Sequence, residues 1–140
     1  MNITELLTDL ASGTNAIIRA VATSFNLTAS QAFHLLSIPF DGIPMSGLAH
    51  KLGLDNSTLT RNIQKLEKLG LVDRRTDSYD RRVQRVVLTD RGTLLLGSIE
   101  KHLEQQNSDI LDLIDLEAQE HLSTVLEKLS WALECARQKL

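Results

Sequence analysis

The sequence predicts a mainly α fold, α+β in class, with one small β-ribbon set among helices. Three observations predict it. Apolar residues recur at spacings of three and four through most of the 140 residues. Only 71–75 and 83–88 read as strands, both short, the second β-branched and partly alternating. Charge is unevenly placed: residues 61–91 hold nine Lys/Arg against five Asp/Glu, a net of +4, while the whole chain carries −3. The remainder is therefore at −7, and a basic segment on an acidic body points to an anionic partner that meets one face only.

Each element follows from local chemistry. Ile3, Leu6, Leu7 and Leu10, then Ile17, Ile18 and Val21, lie at helical spacing over 3–24. Ser12-Gly13 interrupts that pattern, which leaves one helix with a weak middle or two short ones. T-A-S-Q at 28–31 has capping-box spacing and opens a second helix, which must stop before Pro39. Phe40-Asp-Gly-Ile reads as a loop, and Pro44 and Ser46 open a short helix closed by Gly53. Asp55-Asn56-Ser57 offers an N-cap for a helix from Thr58 to about Leu69, striped by Leu59, Ile63, Leu66 and Leu69 and ended by Gly70. The two strands follow, joined by a polar turn over 76–80. Helical spacing returns after Thr89 with Leu94, Leu95, Ile99 and Leu103, and the polar stretch 104–109 either bends that helix or continues it. A last helix spans roughly 116–139.

Bulk composition narrows the class. One domain over 1–140 is expected, with a core over 28–92 and helical regions at 1–24 and 93–140. The single cysteine, Cys135, precludes an intrachain disulfide and suits a reducing compartment. With no leader pattern and no apolar run near the ~20 residues of a membrane helix, the reading is cytoplasmic.

The pattern over 48–63, L-A-H-K-L-G-L-D-N-S-T-L-T-R-N-I, is two helices joined by a tight turn. The second helix would present Asn56, Ser57, Thr58, Thr60, Arg61 and Gln64 away from the core, side chains that read groove edges or grip phosphate. Its free N-terminal amides would add an affinity for phosphate. A ribbon directly after such a helix makes a winged helix-turn-helix, with Asp77–Arg82 at its tip. Arg82 is the first candidate for insertion into a minor groove, and Asp80 for orienting it through a paired carboxylate. Arg74, Arg75 and Arg85 complete a basic strip for double-stranded DNA.

The stretches S-T-L-T-R, L-E-K-L-G-L-V-D-R-R and D-R-R-V-Q-R-V-V-L-T-D-R-G, within residues 48–92, resemble the MarR family of bacterial and archaeal transcription regulators. T-A-S-Q is similar to the start of that family's second helix. The resemblance covers essentially the whole chain in length and element order, and its specific part spans 44–92. It implies a homodimer on a palindromic operator, acting as a repressor released by a small-molecule effector or by oxidation. It places Ser57, Thr58, Thr60 and Arg61 at the groove, Arg82 at the wing tip and Asp80 as its support. It also implies an effector pocket near Phe25, Phe33, His34 and Ile99. The leucines of the terminal helices, beyond what a small core needs, supply an isologous dimer interface.

Other chemistries lack residues. The histidines at 34, 50, 102 and 121 include no pair at metal-ligand spacing, so no metal and no cofactor is expected. No glycine-rich phosphate loop, G-x-S-x-G or clustered acid/base set is present, and the chain does not read as an enzyme. Cys135 has no cation nearer in sequence than Arg137 and reads as a quiet helix thiol. The reading from a different class is a protein-interaction module that keeps the winged helix without binding DNA.

Overall fold

Capping chemistry sets where the helices begin in the computed structural model, which describes residues 2–140. Six helices and three strands occur among those residues: α1 (Ile3–Ser24), α2 (Ala29–Leu36), β1 (Ile43–Pro44), α3 (Met45–Leu52), α4 (Asn56–Lys68), β2 (Val72–Thr76), β3 (Gln84–Leu88), α5 (Asp90–Leu111) and α6 (Leu116–Arg137). Asn2 and Thr28 each form a reciprocal capping box, with Glu5 and with Gln31, so the first amides of α1 and α2 are satisfied. Gly53 closes α3 in the left-handed region at φ +67, where a Cβ would be strained. Helix α1 runs unbroken through Ser12-Gly13, and α5 continues through 104–109 without ending. Asp55 is the N-cap of α4, so Asn56 and Ser57 belong to its first turn rather than to a loop before it.

The sheet differs from the two-stranded ribbon expected. It has three strands in the order β1-β3-β2, all antiparallel, with Ile43 opposite Val86, Pro44 opposite Arg85, and Val72 opposite Leu88. By sequence, Ile43-Pro44 reads as loop and helix start. A two-residue strand is too short to show alternation, and its proline is tolerated because β1 lies at an edge. This third strand, besides the helices, answers the need of a bare two-stranded ribbon for support.

Contacts divide the chain into two compact units, Met1–Leu103 and Glu104–Leu140. The core belongs to the first. Leu59, Ile63 and Leu66 of α4 are at most 1% exposed and pack with Leu35 of α2, Leu48 of α3, Val72 of β2, Val86 of β3 and Ile99 of α5. Burying each such side chain contributes about 1.5–3 kcal/mol before entropy is set against it. The outward half of α4 is thereby fixed by its inward half. In the second unit, Gln119 donates to the carbonyls of Leu111 and Ile114, both at 2.7 Å, and satisfies the end of α5. Helix α6 has no buried residue. No helix among the described residues is long and apolar enough to cross a membrane.

The motif T-D-R-G at 89–92 explains how the ribbon joins the next helix. The Thr89 hydroxyl donates to the Gly70 carbonyl at 2.6 Å and accepts from the Gly92 amide at 3.0 Å. Gly92 is buried, and a methyl group there would collide with the Leu71 carbonyl oxygen. The start of α5 can therefore press against the start of β2 only if residue 92 has no side chain.

Candidate nucleic-acid interface

Because its stripe of Leu59, Ile63 and Leu66 faces inward, α4 must turn Asn56, Ser57, Arg61 and Gln64 to solvent, and all four are exposed. Thr58 and Thr60 are half-buried on the shoulder of that face. The hydroxyls are not idle. Ser57 Oγ donates to Asp55 Oδ1 at 3.1 Å, Thr58 Oγ1 to Asp55 Oδ2 at 2.9 Å, and Thr60 Oγ1 to the Asn56 carbonyl at 2.8 Å. With their protons used inside the helix, the three oxygens are left as acceptors. Asp55 also accepts from the Thr58 amide at 2.7 Å. That bond, followed by those from the Thr58 and Ser57 hydroxyls, holds the Asp55 carboxyl below the usual carboxylate value. The expected phosphate affinity of the α4 N-terminus is correspondingly reduced, since one amide is taken and a negative charge sits beside the rest. Arg61 stays on the face, with Nη2 within 3.4 Å of Thr58 Oγ1.

The wing is built on carboxylates. Asp77 Oδ2 accepts from the Tyr79 and Asp80 amides, both at 2.9 Å, and so folds the tip. Asp80 then accepts from Arg82 three times: from Nε at 3.1 Å, from Nη2 at 3.2 Å and from the backbone amide at 3.0 Å. The paired guanidinium bonds, ahead of the amide, hold the Asp80 carboxyl below its usual value, so it is charged at neutral pH. The Arg82 side chain remains 90% exposed, held at one edge and open at the other. Tyr79 at the tip is fully exposed.

The arginines divide into two sets. Arg82 and Arg75 point to solvent, Arg75 with only a long 3.8 Å contact to Asp73. Arg74 is turned inward against Glu67 of α4 at 2.7 Å. Arg85 is directed to Asp77 and to the carbonyl of Gly42 at 3.0 Å. A basic strip read from sequence treats all four alike, whereas β2 and β3 alternate and send two of them toward protein partners.

Helix and wing share a surface. Asn56 and Thr60 of α4, Ser46 at the start of α3, and Arg82 and Gln84 of the wing line one open groove of about 320 Å³. Sequence reasoning misses Ser46 and Gln84 at this groove; neither carries a charge or motif that would mark it.

Of the residues expected at an effector pocket, Phe25 and Phe33 pack against the core that contains Ile99. Phe33 and His34 line a hollow with Asn15, Arg19 and Leu54. Phe25 instead packs edge-on against the His102 ring, centroids 5.1 Å apart, and Ile99 is fully buried in the core. His34 is 3% exposed. Its Nδ1 lies 2.6 Å from the Ser30 carbonyl and so carries the proton, leaving Nε2 to accept from the Asn62 amide of α4 at 3.1 Å. Burial, against the opposing effect of the Ser30 bond, lowers its pKa and keeps it neutral at pH 7. Among the described residues no group of His, Cys, Asp and Glu is placed to hold a metal ion.

The profile of the MarR family matches residues 27–83, the helix-turn-helix and the ribbon up to the wing tip. Solved structures extend the likeness to the ends of the chain. A MarR crystal structure superposes with a TM-score of 0.84 at 23% identity, covering 100% of this chain and 96% of that one. A MarR protein from Peptoclostridium difficile gives 0.81 at 27% identity, over 99% and 92% of the two chains. MepR from S. aureus, in a complex with DNA, gives 0.76 at 19% identity, over 95% and 99%. Residues 27–83 thus match the MarR family profile, and the chain shares the winged helix-turn-helix fold of MarR structures along its length.

Proposed function

We propose that this protein is a sequence-specific DNA-binding transcription regulator that acts as a homodimer on a palindromic operator. The observation that carries the reading is the shared groove: Asn56 and Thr60 of α4 and the exposed Arg82 of the wing line one concave surface. In this reading Asn56, Arg61 and Gln64 donate to base edges and phosphates, while the oxygens of Ser57, Thr58 and Thr60 accept from exocyclic amines. Arg82 enters the minor groove. Asp80 holds its guanidinium in one orientation beforehand, so less rotamer entropy is lost on binding. MepR, solved on DNA, has the same fold and supports the assignment of the partner.

The dimer rests on apolar surface that the single chain leaves open. Ile3, Leu6 and Leu10 on α1 and, separately, Val125, Leu126, Trp131 and Leu133 on α6 are all exposed. One winged-helix half-site is a small interface, and two copies supply specific affinity. By its likeness to the family we read the protein as a repressor relieved by a small effector. The hollow beside Phe33 and His34 is the candidate effector site, since His34 bonds directly to Asn62 on α4.

Selection of duplexes from a random-sequence pool tests the reading. It should return an inverted repeat whose half-sites lie about 10–10.5 bp apart or a multiple of that. Recovery of no enriched sequence at physiological salt would instead favour the protein-interaction module.

A further inference from the structure

Arg85 and Asp77 stand apart from the arginines and aspartates that point to solvent. Arg85 Nη1 meets Asp77 Oδ1 at 3.5 Å, while Nη2 donates to the Gly42 carbonyl at 3.0 Å and approaches that of Asp41 at 3.5 Å. The two side chains are only 29% and 13% exposed. Gly42 is itself pressed against β3: at φ +81, any Cβ there would run into Val87 and the Val86 carbonyl. The loop it belongs to passes directly through β1 into α3, the first helix of the helix-turn-helix. One guanidinium therefore ties the turn that shapes the wing tip to the segment that leads into the helices.

We propose that the Arg85–Asp77 pair is a buckle that fixes the tilt of the wing against the helix-turn-helix, and that these are positioning residues for DNA binding rather than DNA contacts. The inference rests on the DNA-binding reading above. It also has a sign that simple charge does not. An aspartate near phosphate repels it, so by charge alone Asp77→Asn strengthens binding. By charge alone Arg85→Lys leaves binding unchanged. A buckle predicts loss in both cases. The asparagine of Asp77→Asn keeps the acceptor for the Tyr79 and Asp80 amides but loses the charged partner of Arg85. The lysine of Arg85→Lys keeps the charge but cannot span Asp77 and the Gly42 carbonyl at once.

The test is titration of the full-length protein on its selected operator duplex, by fluorescence anisotropy over a series of salt concentrations. Asp77→Asn and Arg85→Lys should each weaken binding roughly tenfold, and the double variant should be little worse than either single one. The dependence of log affinity on log salt should keep the wild-type slope, because no phosphate contact is lost. Unchanged or tighter binding by Asp77→Asn overturns the buckle. So does an Arg85→Met variant whose slope falls by about one per contact, the mark of a lost phosphate contact. Arg82→Ala separates the two levels: if it binds like wild type, the DNA-binding reading itself fails, whereas if it alone weakens binding, only the buckle fails.

Discussion

The bond from Arg82 to Asp80 shows how single residues shape this surface. A carboxylate beside phosphate is unfavourable unless it does something else, and here it holds a guanidinium through two parallel contacts. Asp80→Asn should therefore weaken operator binding despite removing a negative charge, a result the same titrations would show. Gly92 gives a prediction of stability. Gly92→Ala places a methyl group on the Leu71 carbonyl, so β2 and α5 must separate. The thermal midpoint should fall by several degrees, in the range of ~1–3 kcal/mol for overpacking; an unchanged midpoint would mean that the approach is not tight. His34 gives one of pH. Its folded pKa lies below the ordinary 6.5, so the unfolded chain binds the proton more readily and stability is lost as pH falls below 6.5. Urea midpoints at pH 7.5 and 5.5 should differ more for the wild type than for His34→Gln.

At the scale of elements, α4 is held by its hidden face. Leu66→Ala, at a fully buried position, should cost about 2–5 kcal/mol in urea denaturation. Gln64→Ala on the exposed face should cost almost nothing in stability and show its effect on DNA alone. How much of this can be read from sequence depends on periodicity. Helices with capping residues and a regular stripe are legible: T-A-S-Q for α2, Gly53 for the end of α3, Leu59-Ile63-Leu66 for α4. Strand β1 is not, since two residues carry no period and a proline argues against pairing. The candidate groove is legible in part. Residue types point to Arg82 and Asp80, but only strand pairing shows that Arg74 and Arg85 turn to Glu67, Asp77 and Gly42. Which of Phe25, Phe33, His34 and Ile99 line a hollow and which are buried likewise follows from tertiary packing, which no local pattern encodes.

For the whole molecule, surface charge and apolar exposure describe two tasks. The net +4 of residues 61–91 favours an anionic partner, and the net −7 elsewhere disfavours non-specific spread over a polyanion. In the proposed homodimer a second copy covers exposed apolar residues of α1 and α6. Trp131 is 70% exposed and Leu126 46%. Sedimentation should show a species of twice the 15.6 kDa chain mass, and Leu126→Asp combined with Trp131→Asp should shift it toward the single chain and weaken operator binding steeply. In the proposed function both tasks serve one act, in which the wing and α4 grip a single duplex together. The most direct test compares wild type with Arg82→Ala on the selected operator at physiological salt. Affinity should be lower by roughly 10- to 100-fold with the dimer intact; equal affinity would contradict a joint grip.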